Sequence, residues 1–195
     1  MVIAVILIGG SGVRFGSETP KQFLQIEGKD IFVYTTEVFQ NHPWVDSILL
    51  VYPKGWREHV AESCRRHGLT KVEHLVEGGS TRQESSCNAV KYISLQGYGN
   101  PMILEHDGDR VLVDSGVISD CIACCRENGN AWPGVMSTDY VVEGSLRGIV
   151  GNLRTAVKRD TLRTHTPCVF YLQDLLRIHQ YAEDNDIDNI FGGFW

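Results

Sequence analysis

The chain has 195 residues, with 24 acidic against 18 basic side chains and a formal charge of -6. That length suits one domain with a proper core, and the acidic balance argues against nonspecific binding to nucleic acid or to a membrane surface. No stretch approaches the ~18 uncharged apolar residues of a membrane span, and residues 1–8 lack a charged leader with a cleavage site, so a cytoplasmic protein is expected.

The first run, VIAVILI at 2–8, is short, β-branched and uncharged, which suits a strand covered on both faces of a parallel sheet. Directly after it comes GGSGVRFGSETPKQF at 9–23. A glycine-rich turn at the end of such a strand brings backbone N–H groups close to an anion, so phosphate is the first suspect. The two common glycine patterns fail when checked by position. In G-x-G-x-x-G the sixth place is Phe15, with the glycine arriving late at Gly16; in G-x-x-x-x-G-K-[ST] neither Gly12 nor Gly16 is followed by lysine. What distinguishes this loop is Arg14 inside it and Lys21 after Pro20, two fixed cations.

Further along, Asp30 is placed to cap a helix carrying Ile31, Tyr34, Val38 and Phe39 on adjoining faces. Residues 47–52 read as the second strand. Trp56, Val60 and Cys64 form an i, i+4, i+8 stripe ended by Gly68 at the position where helices commonly turn left-handed. A third strand over 72–76, a helix over about 81–95, a fourth strand over 102–105 and a helix over about 114–127 complete the alternation. In that last helix Val117, Cys121 and Cys124 or Cys125 recur at helical spacing beside Ile118 and Ile122. With no second C-x-x-C and no histidine pair to complete a zinc site, the six cysteines are read as reduced core thiols. His42, His59, His67, His74 and His179 are scattered and read as surface or boundary residues.

Strand and helix alternating in this way predict βαβ crossovers and a three-layer α/β domain with a mostly parallel sheet, spanning 1–195, whose ligands bind at the carboxyl ends of the strands. Residues 138–159 break the rhythm, with strand-like TDYVVE, glycines at 144, 148 and 151, and TAVKR. They read as a protruding β-arm, stabilised by packing on a second subunit in a homodimer. Three loops then fall on one sheet edge: GGSGVRFGSETPKQF after the first strand, EGGSTRQESSCNA (77–89) after the third, and EHDGDRVLVD (105–114) after the fourth. They bring Arg14, Lys21, Arg82 and Arg110 together with Asp107, a mostly cationic pocket in an acidic protein.

These pieces resemble the 2-C-methyl-D-erythritol 4-phosphate cytidylyltransferase family and its ribitol-phosphate relatives. GGSGVRFG with PKQFL, GKDIFVYT, GGSTRQESSCNA, HDGDR and RDTLRTHTP occur in the family's order and cover nearly the whole chain. The resemblance implies a Rossmann-like fold, transfer of CMP from CTP to a polyol phosphate, pyrophosphate release and a Mg²⁺ requirement. It implies that Ile8, Gly9, Gly10 and Gly12 wrap the cytosine and phosphates, while Arg14 and Lys21 hold the triphosphate and stabilise charge at the α-phosphate. Gly79, Ser80 and Ser85 would contact the base and Arg82 would fix their loop. Asp107 would lie by the ribose and the metal, Arg110 and Thr166 beside it, and Thr138 and Arg159 would reach the acceptor's phosphate across the dimer.

Three departures qualify the resemblance. The family's H-D-A-x-R is His106-Asp107-Gly108-Asp109-Arg110 here, and the extra carboxylate of Asp109 is expected to weaken anion binding. The family's T-P-Q-x-F is Thr166-Pro167-Cys168-Val169-Phe170, and a thiol does not replace a glutamine's paired donor and acceptor. The family's lysine-bearing K-I-T segment has no counterpart in DNDIDNIFGGFW, and no lysine follows Lys158. The sequence therefore keeps open a second reading, a catalytically impaired nucleotide-binding homologue.

Overall fold

The computed structural model of the chain describes residues 1–10, 19–136 and 162–188. In chain order the elements are β1 (Val2–Leu7), β2 (Gln25–Ile26), β3 (Lys29–Asp30), α1 (Ile31–Gln40), β4 (Ser47–Tyr52), α2 (Arg57–Arg66), β5 (Val72–Glu77), α3 (Arg82–Ser94), β6 (Met102–Asp107), α4 (Ser115–Asn128), β7 (Asn130–Ala131), β8 (Gly134–Met136), β9 (Leu162–Thr164), β10 (Cys168–Tyr171) and α5 (Leu172–Asp184). A single 3₁₀ turn, Lys21–Phe23, precedes β2.

Six strands make the central sheet in the order β5-β4-β1-β6-β10-β7. The first four are parallel, and β10 and β7 add an antiparallel flank to β6. The sheet is therefore mostly parallel, as the alternation of elements predicts. The antiparallel flank and α5 are additions that the strand pattern did not disclose, since CVFY is only four residues long. The chain steps from β1 outward to β4 and β5, then returns to place β6 on the other side of β1. Strand order thus reverses at β1 and β6, where a crevice opens at the carboxyl ends.

Both faces of the sheet are covered, and the period of two sorts its side chains. Val2, Ala4 and Ile6 pack with Ile48, Leu50 and Leu104 under Phe32, Val33 and Phe39 of α1, Val60 and Cys64 of α2, and Ile118, Cys121 and Ile122 of α4. Ile3, Val5, Leu49, Val51 and Ile103 point the other way, against Ala89, Val90 and Ile93 of α3 and Leu172 and Leu175 of α5. Burying each such side chain is worth about 1.5–3 kcal/mol, so the unbroken apolar strands are what fix the three layers.

Several local expectations need correcting. Asp30 stands at the N-terminus of α1 without capping it; its buried carboxylate instead takes hydrogen bonds from Ser63 Oγ (2.8 Å) and Gln25 Nε2 (3.1 Å) and faces His59 Nε2 at 2.9 Å. Gly68 does end α2 in the left-handed region, at φ 64°. In α4 the buried stripe is Ile118, Cys121, Ile122 and Cys125, while Val117 and Cys124 are exposed. All six cysteines are free. His42 and His179 are not surface residues: both are buried, His42 against Ser119 Oγ at 3.0 Å and His179 against Ser86 Oγ at 2.9 Å. The arm over 138–159 lies outside the described residues, but β8 and β9 pair antiparallel on either side of it.

Burial of His179 on α5 pushes its imidazole down to about 4, helped by Lys91 and opposed by Glu183. The unfolded chain, with an ordinary histidine, binds the proton first, so this contribution to stability is present above pH ~6.5 and is lost as pH falls toward 4. It amounts to about 3 kcal/mol at full loss. Urea unfolding followed from pH 7 to pH 4 should show stability falling over that window, and His179→Gln should make the curve measurably flatter.

Candidate active site

The crevice at the carboxyl edge is built by loops that leave β1, β5 and β6. The parallel ladder continues past the strand ends: Ile8 N donates to Val51 O (2.8 Å), Gly78 N to Tyr52 O (2.8 Å) and Gly108 N to Leu7 O (2.9 Å). Each loop therefore starts from a fixed point. Ile8 is buried, and Gly9 and Gly10 emerge from it toward the surface. Arg14 and Gly12 lie outside the described residues.

The first loop is tied down by a residue the sequence reading overlooked. Gln22, buried in the Lys21–Phe23 turn, donates through Nε2 to Ile8 O (2.5 Å) and Gly10 O (2.7 Å). Phe23 anchors the same turn by stacking on Trp56, ring centroids 4.2 Å apart. PKQF alone did not disclose this, because the amide of a glutamine can donate to any nearby acceptor or to water and its partners, Ile8 and Gly10, lie more than ten residues away.

At the second loop, Thr81 caps α3 by accepting from Glu84 N (3.0 Å), and Glu84 reaches back to accept from Ser80 N (2.6 Å) and Ser80 Oγ (2.7 Å). T-x-x-E is a capping-box spacing. Those bonds hold the Glu84 carboxyl below the usual range. Ser85 Oγ donates to Thr81 O (2.9 Å) and accepts from Gly79 N (3.1 Å). Gly79 has no room for a side chain, because a Cβ there would collide with Glu84. The expected trio of Gly79, Ser80 and Ser85 is thus brought together, with Ser80 exposed and Ser85 buried behind it.

The third loop supplies the charges. Asp107 ends β6 and receives Arg82 Nε on Oδ1 (3.2 Å) and Arg110 Nε on Oδ2 (2.8 Å), while its backbone N donates to Thr166 Oγ1 at 3.4 Å. Arg110 also meets His165 Nδ1 at 3.2 Å. Lys21 forms an ion pair with Asp109. Burial works against the charge of Arg82, yet Glu105 and Asp107 together raise its pKa. His106 is buried and donates through Nε2 to Arg110 O (3.1 Å), which shapes the turn. Gly108 packs so tightly that a Cβ would run into Ile8 Cγ2, a packing reason for glycine where alanine is the family's usual residue.

The expectation of a mostly cationic pocket changes accordingly. Lys21, Arg82 and Arg110 do converge, but each is matched by a carboxylate of the 107–109 turn. Thr166 lies beside Asp107 as expected. Thr138 and Arg159 fall outside the described residues.

A sequence profile of the IspD family, 2-C-methyl-D-erythritol 4-phosphate cytidylyltransferase, matches residues 2–189. The chain belongs to this family. A ribitol-5-phosphate cytidylyltransferase of Lacticaseibacillus paracasei is 37% identical over 163 residues, covering 84% of this chain and 68% of the relative. A 2-C-methyl-D-erythritol 4-phosphate cytidylyltransferase of Clostridium perfringens is 33% identical over 186 residues, covering 95% and 80%. The fold matches a 4-diphosphocytidyl-2C-methyl-D-erythritol synthase of Anaerococcus prevotii with a TM-score of 0.77 at 18% identity, over 97% of this chain and 78% of that one.

Gln22→Ala removes both bonds to the loop carbonyls and leaves the buried Ile8 carbonyl without that donor, while the exposed Gly10 carbonyl can turn to water, so it should lower stability by about 2 kcal/mol, read from the urea midpoint at constant slope. Gln22→Glu, which cannot donate when ionised, should do no better.

Proposed function

We propose that the chain transfers CMP from CTP to a sugar-alcohol phosphate, either methylerythritol 4-phosphate or ribitol 5-phosphate. A phosphate oxygen of the acceptor bonds to the α-phosphorus of CTP as the bond from that phosphorus to the α,β-bridging oxygen breaks, and pyrophosphate leaves. Such a reaction needs no covalent nucleophile; it needs fixed positive charge where the departing oxygen gains negative charge.

The observation that supports this most is the pairing of the cations. Lys21 and Arg110 are roughly half-exposed, and their described acidic partners are carboxylates of one short turn. Phosphate oxygens replacing those carboxylates give the cations equivalent partners, so they are held ready without being buried. Arg14 would add to them. Asp109 and Cys168, two of the three departures that prompted the binding-only reading, are compatible with this arrangement: Asp109 pairs with Lys21 and would give it up to a phosphate, and Cys168 is buried beside Glu105 in the strand ladder.

Among the described residues no three acidic, histidine or cysteine side chains gather as a metal cage. A single carboxylate suits Mg²⁺, which is commonly held by one or two carboxylates together with substrate phosphates. Asp107, whose two oxygens now meet Arg82 and Arg110, would be that carboxylate, and the ion would neutralise phosphate charge. No helix of the described residues is long and apolar enough to cross a membrane, and we read the enzyme as cytoplasmic. Pairing of two subunits through the arm is supported by its base, where Val135 and Met136 of β8 stand more than half exposed.

Pyrophosphate release from CTP and Mg²⁺, with each acceptor offered separately, tests the reading and names the acceptor. Lys21→Ala should cut turnover by about 10²–10³-fold with an unchanged circular dichroism spectrum. Release with neither acceptor, or an unaffected Lys21→Ala variant, contradicts it.

A further inference from the structure

Behind the site lies an ionisable group that the reaction just described does not use. In β6, Ile103, Glu105 and Asp107 share the face toward α3 and α5. Ile103 packs in the apolar layer there, Asp107 reaches the crevice, and Glu105 sits between them, fully buried. A carboxylate in that place costs several kcal/mol unless neighbours compensate it. Its Oε1 takes a hydrogen bond from Ser86 Oγ on α3, and the same hydroxyl contacts Nε2 of His179 on α5. Its Oε2 faces Arg82 Nη1 at 4.0 Å and has no hydrogen-bond partner among the described residues.

Arg82 therefore spans two carboxylates of one strand, Glu105 inside and Asp107 at the mouth. Ser86 stands between Glu105 and His179 and all three are buried, so the group is not a nucleophile with its base. We infer that Glu105 is a positioning residue: it holds Arg82 from within the sheet so that the guanidinium meets Asp107 at the mouth of the crevice, and Ser86 and His179 hold Glu105 in place.

The physical reasoning is directional. With Asp107 as its only anion, a long arginine side chain at the start of α3 is free to follow that carboxylate outward into solvent. A second, immobile negative charge beneath it, 4.0 Å from Nη1, attracts that edge of the guanidinium by charge alone and leaves the Nε edge for Asp107. Asp107 in turn orients Arg110, so a buried charge sets the arrangement of a surface turn.

That this geometry serves the nucleotide rests on the CTP reading above; the coupling of Glu105 to Arg82 does not. The test uses the full chain with Glu105→Gln, which keeps the volume and removes the charge. The Arg82 Nε–H resonance is assigned by its loss in Arg82→Lys, and its exchange with water is measured. In Glu105→Gln exchange should accelerate about tenfold, and Ser86→Ala, the milder variant if the first folds poorly, should shift it the same way; unchanged exchange in both overturns the inference. CTP affinity by calorimetry should weaken about tenfold in Glu105→Gln, the scale of one charge-assisted contact. Combined with Arg82→Lys, the variant should lose nothing further, whereas additive losses overturn the inference. A wild-type chain that binds no CTP while the Arg82 signal still responds would contradict the function proposed and leave the positioning role standing.

Discussion

The structure depends on β1 being hydrogen-bonded on both sides, to β4 and to β6, in register along its whole length. Because the ladder runs on through Ile8, Gly78 and Gly108 after the strands end, three loops far apart in sequence leave the sheet from fixed positions. A parallel sheet buried on both faces resists slippage, since moving a strand by one residue would exchange its two apolar faces. The crevice inherits that rigidity. Gln22 and the capping arrangement at Thr81 and Glu84 then hold the first and second loops to it.

Upon this frame the electrostatics are organised by one short turn. The sequence 105–110 alternates acidic side chains with a buried histidine and a glycine, and every acidic group in it faces a cation: Glu105 and Asp107 face Arg82, Asp107 faces Arg110, Asp109 faces Lys21. The exposed pairs contribute little to stability, on the order of 0–1 kcal/mol each. Their effect is on arrangement. They keep long cationic side chains gathered at the crevice in an acidic protein, where mutual repulsion would otherwise spread them.

Much of this was legible beforehand. The unbroken apolar runs gave four strands of the parallel sheet, and the helices that follow them began and ended within a residue or two of their expected places, because capping residues such as Thr81, Asp114 and Gly68 act locally. The site motifs were legible as loops on one edge for the same reason: strand direction decides where each loop emerges. What was missed depends on partners distant in sequence. Nothing near Asp30 indicates that its carboxylate serves Ser63 rather than the helix, and His179 looks like an ordinary polar residue of an amphipathic helix until Ser86, 93 positions away, is seen beside it. The pairing of the pocket's charges was not legible because Lys21, Arg82 and Arg110 are read from separate motifs, while which carboxylate each one meets is known only from geometry.

The central claim is that a triphosphate takes over the cations which the 107–109 turn now holds. The most direct measurement is the structure of the chain with CTP and Mg²⁺ bound. The account predicts the phosphates at the carboxyl edge of β1 and β6, with Lys21 moved from Asp109 onto a phosphate oxygen. A nucleotide bound away from that edge, or bound there with Lys21 still paired to Asp109, would contradict it.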